Sequence, residues 1–265
     1  NLSGLFLPGG TVVQVKYSGN KIEKLNDDNK SMYYEGPLNV LVNRFSASAS
    51  EIFAGAIQDY KRGVIVGEQT YGKGTVQNVR ELSAFLRGPQ DEELGLIKFT
   101  MAKFYRVTGS STQHLGVSPD VPLPSAFSAE EFGESSKPSA MPWDKIPSAS
   151  FQPLNYVNND LIQQLNARHN QRMKTEQDLV DLQYDIERAK EIRSKTLVSL
   201  NYDKRKSEES KAEEERAARV KIGSSLKELE ANKVQERSLS DLKDVYLKES
   251  LLLLADQIEA KKRKG

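Results

Sequence analysis

Two stretches of this chain set reactive side chains among residues of little bulk. Phe45-Ser46-Ala47-Ser48-Ala49-Ser50-Glu51 offers three hydroxyls, Ser46, Ser48 and Ser50, just before an expected helix. Small neighbours let a substrate backbone approach, and the first turn of a helix leaves N–H donors that no intrahelical carbonyl accepts. Such donors stabilise negative charge, as an oxyanion hole must. In Gly67-Glu68-Gln69-Thr70-Tyr71-Gly72-Lys73-Gly74-Thr75-Val76-Gln77, Lys73 stands between two glycines, where the backbone bends freely. A lysine so placed could serve as a catalytic base. Each stretch also has a plainer reading: Ser50 as a helix N-cap with Glu51 in the first turn, and Gly72-Lys73-Gly74 as an exposed turn. Gly74 follows Lys73 where a phosphate-binding loop needs Ser or Thr, which argues against nucleotide binding.

The elements that must hold these stretches alternate between strand and helix. Thr11–Val15, Leu38–Val42 and Val64–Val66 read as short strands, and continuous apolar runs such as Val40-Leu41-Val42 suggest burial on both faces. Between the second and third, Ile52, Phe53, Ala56, Ile57 and Tyr60 follow helical spacing, with Gly63 as the expected stop. Strand, helix and strand in that order predict a βαβ unit. In Leu96–Tyr105, Ile97, Phe99 and Met101 share one face of a longer strand. Pro119, Pro122 and Pro124 close this part of the chain.

Beyond residue 125 the composition changes. Residues 125–153 are rich in Ser, Pro and Glu and read as a linker anchored at Trp143. From about Asp160 the pattern is helical and charged, with Leu179, Leu182 and Ile186 on one face and Leu239, Leu242, Val245 and Tyr246 on another. Lys204–Arg219 reads either as a solvated helix held by i,i+4 charge pairs or as a disordered stretch.

Over all 265 residues, 38 Lys and Arg balance 37 Asp and Glu, which argues against a nucleic-acid binder. There is no cysteine, so thiolate catalysis, disulfides and cysteine-ligated metals are excluded. The longest apolar run, Leu251–Leu254, is far too short to span a bilayer. Both histidines, His114 and His169, are expected at the surface, and nothing sits at metal-ligand spacing.

Three markers, taken in order and spacing, resemble the carboxyl-terminal processing (tail-specific) serine proteases, most closely their long periplasmic form. They are Asn43–Ala54, then Gly67-Glu68 with Tyr71–Gln77, then Gly116-Val117-Ser118-Pro119-Asp120-Val121. A weaker likeness runs through Met141-Pro142-Trp143-Asp144 into the helical tail. The resemblance implies an α/β fold, part of a crotonase/ClpP-like protease core, followed by a mostly α-helical C-terminal domain. It implies Ser48 as nucleophile, with Ser46 and Ser50 ranked below it, and Lys73, 25 residues on, as general base. Gln77 falls where the family has a glutamine that positions the lysine, and Ala49 supplies an oxyanion N–H. A lysine accepts a proton only when neutral, so burial must disfavour its ammonium form; serine–lysine dyads are a known variant of the serine–histidine arrangement. The dyad needs neither cofactor nor metal. The implied substrates are proteins with exposed, apolar, unstructured C-terminal tails. An adaptor lipoprotein is a candidate partner, and the implied location is the periplasm of a Gram-negative bacterium, peripheral to the inner membrane at most.

The organisation expected from these features is a C-terminal part of the catalytic core at 1–126, a linker at 127–155 and a helical domain at 156–265. The family also has a PDZ domain and an Asp-Leu-Arg-x-Asn-Gly-Gly type segment before the core, the latter giving a second oxyanion donor. Neither is present in the sequence, so the expectation is a C-terminal fragment, weak or inactive by itself. A reading from a different class is a non-catalytic helical scaffold that recruits partner proteins. The joint presence of Ser48, Lys73 and Gln77 argues against it.

Overall fold

The computed structural model describes residues 2–85, 94–197, 199–211, 213–214 and 244–262. They form two compact units, Asn1–Ala167 with Leu253–Gly265, and Arg168–Leu252. In chain order the strands are β1 (Gly10–Tyr17), β2 (Ile22–Asp27), β3 (Asn39–Val42), β4 (Val64–Gly67), β5 (Thr75–Glu81), β6 (Leu96–Tyr105) and β7 (Val121–Pro122). The helices are α1 (Ala49–Asp59), the single turn α2 (Ala129–Phe132), α3 (Asn159–Thr175), α4 (Gln177–Ser194) and α5 (Val245–Lys262). Residues 202–211 and 213–214 are also helical, and residues 212 and 215–219, like Leu239 and Leu242, lie outside the described residues.

The first unit holds two sheets. An antiparallel sheet runs β2-β1-β6-β5 and a parallel one runs β3-β4-β7. The chain thus is mixed α/β with a helical C-terminal part, as expected. The βαβ unit is β3-α1-β4, with Val40 opposite Ile65 and Val42 opposite Gly67. Central β4 is buried along its whole length, the condition its apolar run foretold. On β3, however, Leu41 is 40% exposed. Among the described residues β3 is an edge strand of its sheet, and its apolar run is not buried throughout as that of β4 is. Ala54, Ala56 and Ile57 of α1 pack with Leu7, Val12, Ile65 and Val117 in the main core.

The ends of α1 differ from expectation in an informative way. Ser48, not Ser50, is the N-cap, with Glu51 at the third helical position. At the other end Lys61, at φ 50°, takes the left-handed position expected of Gly63. Lys61 N–H donates to Gln58 O and Arg62 N–H to Ile57 O, the two reversed bonds of a Schellman stop. Gly63 answers a different need, since a Cβ there would lie 2.8 Å from Leu38 O.

Ile97, Phe99 and Met101 do share a face of β6, but that face is exposed, and burial begins only at Ala102. Residues 142–157 run along the core. Trp143 Nε1 donates to Ser111 O, Ile146 N–H to Gly109 O, Ala149 N–H to Val107 O and Leu154 N–H to Tyr60 O. Lys103 Nζ and the Tyr105 hydroxyl both reach the Asp144 carboxylate.

In the second unit, Leu179 and Ile186 are buried on α4 and Leu182 is half-buried. His169 is not at the surface but 4% exposed, with its Nδ1 2.9 Å from Glu249 Oε1. Arg172 donates to the same carboxylate through Nε and Nη2. A buried carboxylate needs such partners, and they draw the imidazole inward. Among the described residues no helix is long and apolar enough to cross a membrane.

Candidate active site

Parallel strands β3 and β4 end side by side, and the two reactive stretches leave from those ends, where open α/β sheets ordinarily place their chemistry. Ser48 caps α1 at φ 57° and ψ −111°, a left-handed conformation that costs a side-chain-bearing residue free energy. Ala49 is the first residue of α1 and is exposed, so its N–H belongs to the donors that the helix itself cannot satisfy.

Glu51 holds the two stretches together. It is fully buried, and its Oε2 accepts the N–H of Ser48 at 2.8 Å and that of Lys73 at 3.0 Å. Its Oε1 accepts the Thr70 hydroxyl at 2.6 Å and the Gly72 N–H at 2.7 Å. The backbones of the two candidate catalytic residues therefore meet at one oxygen atom. Burial pushes the Glu51 carboxyl above its ordinary range, while the hydroxyl of Thr70 and the N–H groups of Gly72, Ser48 and Lys73 pull the other way. Sequence reasoning put Glu51 merely in a first turn. The Ser48-x-x-Glu51 spacing of a capping box was the signal that could have found it.

A second brace comes from residues 111–117, which include the start of the third marker. Val117 exchanges bonds with Thr70, its N–H reaching the Thr70 hydroxyl at 2.7 Å. Gln113, fully buried, accepts the Gly74 N–H at 2.8 Å. His114 N–H donates to Gly72 O, so close that a Cβ on Gly72, whose φ is 90°, would lie 2.7 Å from His114 O. His114 is accordingly half-buried rather than a surface residue, with φ 64° and Nε2 out of contact with water. On the other side, Arg44 is buried with its N–H on Glu68 Oε2 and its Nη1 on Thr70 O.

Ser48 and Lys73, both half-buried, are thus joined through their main chains, while no hydrogen bond links their side chains among the described residues. Ser46 is engaged elsewhere: its hydroxyl closes a turn with Asn43 and its carbonyl accepts the Tyr71 N–H. Ser50 is exposed on the first turn of α1. Gln77 is exposed on β5, just past a bulge and opposite Thr100, and makes no side-chain hydrogen bond among the described residues. Nor do the described residues gather three His, Asp or Glu side chains fit to hold a metal ion.

An aromatic group borders the nucleophile stretch. Phe45 is 61% exposed and meets the Phe127 ring edge-on at 5.4 Å, and Phe127 meets Phe132 at 4.6 Å. Glu134 N–H donates to Tyr71 O, two residues before Lys73. Residues 127–134 therefore reach back to both reactive stretches.

Comparison with known proteins divides the chain close to the composition change. Residues 1–123 match peptidase family S41, and residues 127–259 match the C-terminal domain of tail specific protease. The tail-specific protease of Haemophilus influenzae is 40% identical over 269 residues, which is 96% of this chain and 37% of that protein. The carboxy-terminal-processing protease of Bartonella bacilliformis is 35% identical over 132 residues, 48% of this chain and 28% of that protein. Among solved structures, the photosystem II D1 C-terminal processing protease is 37% identical with a TM-score of 0.40, covering 46% of this chain and 29% of that one. The chain spans little more than a third of the length of its Haemophilus relative.

Proposed function

The chain belongs to the tail-specific proteases of peptidase family S41, and from that premise we propose that it carries the Ser48–Lys73 dyad of an endopeptidase acting on proteins with exposed apolar C-terminal tails. One observation carries the dyad: a single Glu51 oxygen accepts the N–H of both Ser48 and Lys73, which fixes nucleophile and base in one frame. Lys73, as the neutral amine, takes the Ser48 proton as Oγ attacks the scissile carbonyl. The tetrahedral oxyanion meets the Ala49 N–H at the positive end of α1. Lys73 then protonates the departing amine, and a water activated by the same lysine hydrolyses the acyl-enzyme ester. Gln77 orients the lysine. The apolar border of Phe45, Phe127 and Phe132 favours a substrate of matching character. A periplasmic setting, where the lack of cysteine is an advantage, and an adaptor lipoprotein that presents substrates belong to the same proposal.

The test is cleavage of a protein ending in an apolar unstructured tail by the chain joined to the family's N-terminal region, which restores the second oxyanion donor, as wild type, Ser48→Ala and Lys73→Ala. Both variants are expected to lose activity by about 10³-fold or more with unchanged circular dichroism. Activity surviving Ser48→Ala would exclude Ser48 as nucleophile. Survival in both variants would leave the scaffold reading in its place.

A further inference from the structure

Glycine on either side gives Lys73 no conformational restraint from its own neighbours, so its place must be set from outside the loop. Every main-chain N–H and C=O of Gly72-Lys73-Gly74 has a partner. Glu51 takes the N–H groups of Gly72 and Lys73 from the side of the nucleophile. Consecutive residues of one other segment meet the rest, apart from Gly74 O, which accepts the Phe104 N–H. His114 N–H donates to Gly72 O, the Thr112 hydroxyl reaches Lys73 O at 3.4 Å, and Gln113 Oε1 accepts the Gly74 N–H at 2.8 Å. The close fit to this segment accounts for both glycines. A Cβ on Gly74 would lie 2.6 Å from Gln113 N and 2.8 Å from Ser111 Oγ, and one on Gly72 would collide with His114 O. Both glycines are buried, so the loop is not an exposed turn but backbone laid against residues 111–114.

Gln113 stands apart within that segment. His114 holds the loop only by its main chain, and the Thr112 contact is long. Gln113 is 0% exposed, and its amide is committed at one end only, with Oε1 on Gly74 and Nε2 without a hydrogen-bond partner. A buried donor left unpaired is unfavourable, so packing alone gives no reason for an amide here. What the side chain supplies is the acceptor. Turned the other way it would set Nε2 against the Gly74 N–H, donor against donor, so its orientation is fixed. The acceptor also stands on braced backbone: Gln113 N–H donates to Ser111 Oγ, Ser111 N–H to Asp144 O, and Trp143 Nε1 to Ser111 O.

We propose that Gln113 is a positioning residue for Lys73, fixing the loop on the side of the base that Glu51 does not reach. The proposal rests on the reading of Lys73 as base toward Ser48. Gln113 does not touch substrate and acts through the lysine alone. Release of the Gly74 N–H lets a glycine turn directly beside the base, and a displacement of about 1 Å costs on the order of 10²-fold in rate. The loss therefore falls on kcat and not on KM.

The experiment measures steady-state cleavage of the tail-bearing protein by the same joined protein as wild type, Gln113→Met, Gln113→Glu and Gln14→Met, with Ser48→Ala as the blank. Methionine fills a similar volume without an acceptor, and kcat is expected to fall about 10–100-fold with KM within about twofold. The acid of Gln113→Glu, buried as Gln113 is, stays protonated and accepts through its carbonyl, so kcat is expected to return to within about fivefold of wild type. Gln14 is 1% exposed and donates to Arg106 O and Pro147 O with no bond to the loop. Gln14→Met thus shows what loss of a buried amide does to the fold alone: a lower urea midpoint with kcat within about twofold. Unchanged kcat in Gln113→Met, a loss carried by KM, no rescue by glutamate, or an equal fall in Gln14→Met would overturn the proposal. Hydrogen exchange on the wild type needs no variant to fold: the Gly74 N–H is expected to exchange at least about 100-fold more slowly than a free glycine amide, and fast exchange would overturn it too. Activity persisting in Ser48→Ala would remove the dyad and this proposal with it, whereas the other adverse outcomes remove only Gln113.

Discussion

Glu51 resolves a difficulty that the two reactive stretches share. Donors at the start of a helix and in a glycine-flanked turn have no backbone carbonyl to meet, and one buried carboxylate takes three of them together with the Thr70 hydroxyl. Glu51→Gln keeps the shape but turns an NH₂ toward N–H donors, so the dyad loses its common anchor. Cleavage is expected to fall about 10–100-fold. The stability effect has a definite sign. Burial raises the folded-state pKa of Glu51, so its contribution to stability is fullest below the unfolded value of about 4.3 and is lost as pH rises through the folded value. The gap in unfolding free energy between wild type and Glu51→Gln should therefore narrow from pH 4 to pH 7 in urea titrations, and a widening gap would contradict this account of the site. Ser48 and Glu51 stand at a spacing that is readable in the sequence. That the carboxylate also reaches Lys73, 22 residues on, is not, because it depends on β3 and β4 lying side by side.

At the scale of elements, the close approach of β3 to β4 rests on Gly67. Its φ is 125°, and a Cβ would fall 2.0 Å from Val42 O, a collision with backbone that no rotamer relieves. Gly67→Ala is expected to cost about 3 kcal/mol or more, read as a lowered urea midpoint. An unchanged midpoint would mean that the pairing is looser than it stands here. Residues 142–157 make a second prediction. Their hydrogen bonds to Ser111, Gly109, Val107 and Tyr60 hold the segment on the core, whereas Lys204, Arg205 and Lys206 are exposed. Limited trypsin treatment should cut at Lys204–Lys206 well before Lys145, and early cutting at Lys145 would show the segment to be loose. A Ser- and Pro-rich composition conveys little backbone preference for packing, so this docking was not legible. The exposed face of β6 was equally hidden, since alternation reveals which side chains share a face and not what lies opposite it.

At the scale of the molecule, the helical unit is organised around charge as well as leucine. Glu249, 1% exposed, is bound by His169 and by two nitrogens of Arg172, while Lys248 pairs with Asp178. Glu249→Ala would leave the guanidinium without this carboxylate in a largely buried place, so the helical signal of this unit should melt earlier, by about 3 kcal/mol. A melt identical to wild type would mean that the cluster adds nothing. Amino-acid order alone determined the α/β class, the charged helical tail, and the serine, lysine and small-residue stretches that carry the family likeness. Those features live in short windows, where residue type and periodicity act directly on the backbone. Which serine caps the helix, which carboxylate joins the loops, where the histidines end and which apolar faces stay exposed were decided by tertiary structure. Each depends on what a distant segment places against the residue, and burial, hydrogen bonding and charge pairing are properties of that neighbour as much as of the residue itself.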